Sequence, residues 1–227
     1  TELNFPYLLL LISGGHTQFL SVKKFGKYKR LGTTIDDALG EAFDKTAKMI
    51  GIEFPGGPYL EKLAEKGNPN RFDLPKPILK KGGCNVSFAG LKTAVLKISK
   101  IIKNEEDKND LAASFQKTIQ EILYVKTKNA FKEFKYISRK TKNTFVVAGG
   151  VAANRSLRKT LTEVSLENNF NPIFPPIEFC GDNAAMIAMA GLEKFKLKKF
   201  DKLNHPAKPR WPLDDKALFL KGAGVKL

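Results

Sequence analysis

The sequence is poor in cysteine and histidine, with two of each among 227 residues. Cys84 and Cys180 lie far apart and form no CxxC pair, so the sequence indicates no disulfide framework. His16 and His205 are equally distant, and no HExxH or HxxxH motif occurs, which excludes a self-contained histidine metal site of a familiar kind. The cysteine usage is typical of a reducing compartment, and we expect a cytoplasmic protein.

Long apolar runs are also missing. No stretch approaches the ~20 apolar residues of a membrane-spanning helix. The opening residues TELNFPYLLLLIS lack both a basic region and a small-residue cleavage site, so we expect no secretory signal. Hydrophobic residues nevertheless make up 42% of the chain, which is enough for a folded core.

Arginine is scarce, and lysine gives the chain most of its formal net charge of +16. Such an excess favours an anionic partner, with nucleic acid the first candidate. It is equally typical of a solvated lysine-rich surface, and no basic motif with interleaved aromatic residues decides between the two. The candidate phosphate contacts are Lys80 and Lys81; Lys196, Lys198 and Lys199; and Lys208 and Arg210.

The hydrophobic pattern predicts three strands followed by helices that alternate with single strands. The strands are predicted at 7–13, 17–24, 28–35, 143–148 and around Ile173 and Phe174, and the helices at 36–51, 59–67, from 88, at 110–134, from about 152 and at 180–195. Asp36 or Asp37 is expected to cap the first helix and Gly51 to end it. This order indicates an α/β sheet covered by helices, as in one half of a two-lobed nucleotide-binding fold.

Two glycine pairs stand where strands end. Gly14 and Gly15 separate two strands, where backbone amides with the hydroxyls of Ser13 and Thr17 could cradle an oxyanion. For that pair taken alone, an ordinary hairpin turn is the preferred explanation, because adjacent glycines are common there. Gly149 and Gly150 join a strand to a helix, whose N-terminus attracts anions. Asn154 follows them, either as a ligand contact or as a plain helix cap.

Two acidic residues are candidates for the same site. Asp44 lies within the first helix, and its carboxylate is either solvated or a partner for a ribose hydroxyl or a metal-bound water. Asp182 lies at the start of the last helix, where it either caps the helix or binds a divalent cation. A third glycine-rich corner, PGGP at 55–58, lies between them in the chain.

Seven motifs in order carry a resemblance to a known family. They are SGGHTQ, IDDALGEAFDKTAKMIG, PGGP, SFAGLKT, AGGVAANRSLR, FCGDNAAMIA and PRWPLD. Together they span about residues 7 to 214 and resemble the tRNA threonylcarbamoyladenosine transferases, formerly described as O-sialoglycoprotein endopeptidases. No protease triad or zinc motif supports the older description.

The resemblance implies an actin-like, sugar-kinase-like ATPase fold, an α/β fold with lobes of ribonuclease-H-like topology. It implies a nucleotide-binding C-terminal lobe at 1–200 and an extended tail at 201–227. It places Asp44 and Gly57 at the nucleoside sugar, Asn154 at the adenine and Asp182 on a metal. The residues implied at the substrate's phosphate and acyl groups are Leu11, Ile12, Ser13, Gly14 and Gly15.

The implied activity is transfer of a threonylcarbamoyl group from its adenylate to N6 of the adenosine 3′ to the anticodon, in tRNAs that read A-starting codons. The implied partners are tRNA, a scaffold paralogue and a small ATPase, and no membrane. The implied cofactor is one divalent ion, iron or zinc. No residue is assigned as a catalytic base.

Family members begin with roughly a hundred further residues, which hold a His-x-x-x-His pair of metal ligands. We therefore expect this chain to be the C-terminal lobe, with negligible turnover on its own. Two other functions stay open: an inactive nucleotide-binding scaffold lobe, and an ATP-dependent phosphotransferase of the same fold.

Overall fold

A computed structural model of the chain describes residues 3–139, 141–207 and 211–218. A five-stranded sheet of order β3-β2-β1-β4-β5 lies at its centre. The strands are β1 (Tyr7–Ile12), β2 (Thr17–Lys24), β3 (Lys27–Thr33), β4 (Asn143–Ala148) and β5 (Phe170–Ile173). The first three form an antiparallel meander, whereas β4 runs parallel to β1 and β5 parallel to β4. This is the ribonuclease-H-like arrangement that the resemblance implies.

The apolar opening strand becomes the middle of the sheet. β1 pairs with β2 on one side and with β4 on the other. Leu8, Leu10 and Ile12 alternate along it and are fully buried, as expected for one face of a strand. Parallel neighbours end at the same side of a sheet. Because β1 and β4 are parallel neighbours, the turn after β1 lies next to the turn after β4.

The described residues form six helices: α1 (Leu39–Met49), α2 (Gly56–Ala64), α3 (Ala89–Ser99), α4 (Glu105–Ser138), α5 (Arg155–Glu167) and α6 (Ala184–Lys196). Single 3₁₀ turns occur at Gly150–Ala153 and Ile177–Phe179. The long helix α4 packs aromatic side chains onto the parallel strands. Its Phe131 stacks on Phe170, with ring centroids 3.8 Å apart, and meets Phe145 edge to face.

The predicted capping of α1 is wrong. The helix begins at Leu39, and its N-cap is Ala38, whose N–H donates to Glu41. Asp36 instead accepts the N–H groups of Phe88, at 2.7 Å, and Ala89, and so caps α3. The predicted end is confirmed, because Gly51 has a φ of +83° directly after the helix.

Other boundaries differ by a few residues. α2 begins at Gly56 within the PGGP corner, and α4 is longer at both ends than the predicted 110–134. A 3₁₀ turn lies between β4 and α5, so α5 begins at Arg155 and not near Ala152. The last helix begins at Ala184, because Asn183 caps it.

The C-terminal part packs less tightly. No residue of α6 is buried, and its side chains Ile187, Met189 and Phe195 are each more than half exposed. Within residues 201–207 and 211–218 there is no helix or strand, although Asp214 accepts the N–H of Arg30 at 2.8 Å and so ties this segment to β3. None of the described helices is both long enough and apolar enough to cross a membrane.

Candidate functional site

A cavity of about 560 Å³ opens where the turns after β1 and β4 meet α1 and α2. Gly14 and Gly150, one from each predicted glycine pair, line this same cavity. Asp44, Gly57 and Asn154 line it as well. Five residues that the sequence singled out at distant positions therefore share one cavity. Its other lining residues are Gly40, Phe43, Phe54, Pro55, Pro58, Glu61, Val151, Ala153, Arg155 and Ile177.

Three lining glycines have no structural reason to be glycine. Gly14, Gly57 and Gly150 have ordinary φ angles, and a Cβ added at any of them would meet no atom within 4 Å. Backbone conformation and packing would thus both accept a side chain there. Glycine at such a position leaves room for a ligand to approach the backbone closely. At these three positions main-chain atoms are open to the cavity.

Three neighbouring glycines are required by packing. A Cβ on Gly40 would stand 2.7 Å from the carbonyl oxygen of Ser13, and one on Gly56 would stand 2.3 Å from the Cβ of Ala47. A Cβ on Gly149 would stand 2.3 Å from the carbonyl oxygen of Ile12. The approaches at Gly40 and Gly149 pack α1 and the turn after β4 against the end of β1 and its turn, and the approach at Gly56 packs α2 against α1. The packing role of Gly40 was not predicted from the sequence.

The turn after β1 uses its hydroxyl groups internally. Ser13 Oγ accepts the N–H groups of Gly15, at 3.3 Å, and His16, at 3.0 Å. Thr17 is buried, and its Oγ1 accepts the N–H of Leu39 at 2.8 Å. The hydroxyl oxygens of Ser13 and Thr17 therefore accept hydrogen bonds within the fold, and donation from their O–H groups to a ligand stays a prediction.

Of the five residues implied at the phosphate and acyl groups, Gly14 alone is among the residues lining the cavity. Leu11 and Ile12 pair within the sheet, and Ile12 is fully buried. Ser13 and Gly15 lie beside Gly14 in the turn. The assignment of all five to substrate stays a prediction.

Asp44 and Asn154 are positioned by hydrogen bonds across the cavity wall. Asp44 Oδ1 accepts the N–H of Gly56 at 3.0 Å. Asn154 is buried, caps α5 by accepting the N–H of Leu157 at 2.9 Å, and donates from Nδ2 to Gln116 at 3.0 Å. The helix-cap alternative for Asn154 is thus confirmed. Gln116, which lies 38 positions away in the sequence, was not predicted.

The start of α5 is capped by a carboxylate. Glu61 Oε1 accepts the N–H groups of Arg155, at 2.7 Å, and Ser156, at 3.4 Å. An anion bound at those amides would compete with Glu61. This competition disfavours the predicted binding of an anion at the N-terminus of α5. Within the described ranges, the lining residues whose N–H groups have no protein acceptor include Gly14, Gly150 and Val151. These amides are the better donors for a phosphate.

Charged side chains organise the outer side of α1. Hydrogen bonds to Glu41 and Asp37 raise the pKa of Lys45, against the opposing effect of burial. Burial acts to raise the pKa of Asp37, but its hydrogen bonds and charge attraction with Lys92 and Lys45 lower it overall. Lys92 belongs to α3, so this ion-pair network joins α1 to α3.

Asp182 is exposed and is not among the residues lining the cavity. The predicted N-cap role is wrong, because Asn183 is the cap and accepts the N–H of Met186 at 2.9 Å. Across the described residues, no group of three His, Cys, Asp or Glu side chains is placed to hold a metal ion. The described part of the chain therefore does not offer a complete metal site, and Asp182 as a ligand stays a prediction.

The predicted lysine groups are spread over separate places. The carbonyl oxygen of Lys81 accepts the buried Lys126 Nζ at 2.7 Å, while the side chains of Lys80 and Lys81 are exposed. Lys196 forms an ion pair with Glu193 at 2.8 Å. Lys208 and Arg210 lie outside the described residues.

The sheet order and the glycine-lined cavity together define a ribonuclease-H-like lobe of the actin-like class. The family model described as "TsaD: tRNA N6-adenosine threonylcarbamoyltransferase" matches residues 1–189, and the chain belongs to this family.

Curated relatives of that description extend over nearly all of the chain. The chain is 72% identical, over all of its residues, to a protein of that name from Pelagibacter ubique and covers 64% of it. Over 93% of its residues, the chain is 52% identical to the Rickettsia rickettsii (strain Sheila Smith) protein of that name, and it covers 62% of that protein. Over 99% of its residues, it is 51% identical to the Zymomonas mobilis protein of that name, and it covers 61% of that protein. The chain therefore spans slightly less than two thirds of the length of these relatives.

Proposed function

We propose that the protein takes part in tRNA modification by transferring a threonylcarbamoyl group from threonylcarbamoyl-AMP to N6 of the adenosine 3′ to the anticodon. One observation carries the proposal: the glycine positions 14, 57 and 150 open one cavity to a ligand although neither packing nor backbone conformation requires glycine there. We take that ligand to be an acyl adenylate, because the family description names threonylcarbamoyl transfer and an adenylate is an activated donor of such a group.

The cavity residues suit the parts of an adenylate. Asp44 uses Oδ1 for the Gly56 amide, which leaves its other carboxylate oxygen to accept a ribose hydroxyl. Asn154 is held rigidly by its cap and by Gln116, and it would meet the adenine. The amides of Gly14 and Gly150 would donate to the phosphate.

The reaction is an acyl-type substitution. The N6 amine of adenosine attacks the carbamoyl carbon, and the bond from that carbon to the phosphate oxygen breaks. AMP leaves with the electron pair, and the amine gives up a proton. Negative charge grows on the carbonyl oxygen and on the phosphate, so fixed donors that point at these atoms lower the barrier. We assign no general base.

A divalent ion, iron or zinc, would add Lewis-acid stabilisation of the same charge when bound. Asp182 would be one of its ligands, with the others supplied from outside the described residues. Transfer therefore belongs to the whole enzyme in the cytoplasm, with tRNA, a scaffold paralogue and a small ATPase as partners. Residues 1–200 form the nucleotide-binding lobe in this proposal, and residues 201–227 form a tail.

A transfer assay tests the proposal. The complete gene product, with its partner subunits, is given ATP, bicarbonate, radiolabelled threonine and an RNA stem-loop with adenosine 3′ to the anticodon. Label should enter this RNA but not the same stem-loop with guanosine at that position, because guanosine has no N6 amine. Equal labelling of both RNAs, or none of either, would contradict the proposal, and the second result would favour a scaffold lobe.

A further inference from the structure

A second cavity adjoins the first. It has a volume of about 540 Å³ and lies on the outer side of α1. Asp44 and Phe54 line both cavities, so these two side chains form the wall between them. The remaining lining residues are Lys45, Lys48, Gly51, Ile52 and Glu53. A molecule in the second cavity would therefore lie directly beside whatever occupies the first.

The ring of Phe54 is 84% exposed, more than any other phenylalanine in the described ranges. Phe43, which lines the first cavity, is by contrast buried and packs edge to face on Phe115 with ring centroids 5.2 Å apart. Phe54 buries too little surface to contribute much to the core. An exposed aromatic ring at the edge of a cavity is a platform on which a nucleic-acid base can stack.

The charges of the second cavity favour a neutral ring over a phosphate. Its lining contains two lysines, Lys45 and Lys48, and two carboxylates, those of Asp44 and Glu53, so the formal charges sum to zero. Lys45 is also held by Asp37, at 3.0 Å, and by Glu41. Exposed Lys48 has no ion pair within the described residues, so it is available to a phosphate outside the cavity. Balanced charge beside an aromatic wall fits the base of a single-stranded nucleotide.

We infer that the second cavity binds a base of the acceptor RNA, stacked on Phe54, next to the donor adenylate in the first cavity. The inference rests on the proposed function, because it takes the first cavity as the donor site. Lys48 contacts the adjoining phosphate. Stacking on Phe54 holds the unpaired loop strand at the wall that separates acceptor from donor.

Two affinities of the complete gene product test this. Fluorescence anisotropy measures binding of an RNA stem-loop with adenosine 3′ to the anticodon, and calorimetry measures binding of AMP. The variants are Phe54→Ala, Phe54→Trp, which keeps a ring, and Tyr136→Ala. Tyr136 is a matched control because its ring is also 84% exposed. It lies 20 residues along α4 from the site residue Gln116, or about 30 Å.

Phe54→Ala should weaken RNA binding about 5- to 150-fold, the range for loss of one stacked base. Because Phe54 also lines the first cavity, Phe54→Ala should weaken RNA binding by a clearly larger factor than AMP binding. Neither Phe54→Trp nor Tyr136→Ala should weaken RNA binding. Unchanged RNA affinity in Phe54→Ala would overturn the inference, as would an equal loss of RNA and AMP affinity. Failure of the wild-type protein to bind AMP would instead contradict the proposed function, while the RNA comparison would still test Phe54.

Discussion

Gly149 approaches Ile12 so closely that a Cβ on the glycine would lie 2.3 Å from the carbonyl oxygen of Ile12. Gly149 also has a φ of +103°, which other residues rarely adopt. Its neighbour Gly150 has an ordinary φ and open space around it. The two glycines of one pair therefore serve different purposes: Gly149 lets two strand ends pack together, and Gly150 keeps the cavity wall bare.

Alanine substitutions separate these two roles. Gly149→Ala should lower the free energy of unfolding by more than about 2 kcal/mol, because backbone strain and a steric clash combine. Gly150→Ala should change it by no more than about 0.5 kcal/mol, as for an exposed position with room for a methyl group. Urea denaturation followed by circular dichroism measures both. Equal destabilisation by the two variants would show that the pair acts only in packing.

Acid should destabilise the fold through Asp110. Its carboxylate accepts the N–H of Asn68 at 2.6 Å and an N–H of Arg71 at 2.8 Å, and these bonds lower its pKa below the usual value. The carboxylate therefore stabilises the fold above the unfolded pKa of about 4, and this contribution is lost as the pH falls through the lower pKa of the folded state.

Asp110→Asn should lower the melting temperature at pH 7 and reduce its further fall between pH 5 and 2. The exposed Asp215 provides a control, since Asp215→Asn should leave the pH profile unchanged. Melting curves at a series of pH values measure this. A profile for Asp110→Asn that runs parallel to that of the wild type would rule out the assigned role.

The chain as described should bind divalent metal weakly. Across the described residues no three His, Cys, Asp or Glu side chains are placed to share an ion, and a stable zinc site generally takes about three or four protein ligands. Calorimetry of zinc with the 227-residue chain should show no stoichiometric tight binding. The prediction of weak binding would be contradicted if the chain bound one ion tightly and if Asp182→Asn, but not Asp215→Asn, removed that binding.

The sequence predicted the elements of the fold well and their ends less well. Apolar runs and glycine positions located the first three strands, and Gly51 located the end of α1. The start of α1 was missed because Asp36 bonds to Phe88, which lies 52 positions further along. Local sequence propensity cannot predict a hydrogen-bond partner that is so distant in the chain.

In the candidate site too, some residues could be predicted from their type, whereas the roles of others depend on contacts that are distant in the chain. The glycine pairs, Asp44 and Asn154 were recognised because their residue types signal a ligand. The structure brings one glycine of each pair, Gly14 and Gly150, to the same cavity as Asp44 and Asn154. Glu61 was missed because it caps a helix that begins 94 residues later. The separate roles of Gly149 and Gly150 also depend on tertiary contacts, because one contacts β1 and the other faces open space.

The central claim is that bare backbone at three glycines makes a nucleotide cavity. Calorimetric titration of AMP into the complete protein tests this claim with two variants, Gly150→Ala and the control Gly82→Ala. Gly82 is a suitable control because it also has open space and an ordinary φ but is not among the cavity-lining residues. We predict that Gly150→Ala weakens AMP binding by about tenfold or more, or about 1.4 kcal/mol, and that Gly82→Ala leaves it unchanged. Wild-type affinity in a folded Gly150→Ala protein would contradict the claim.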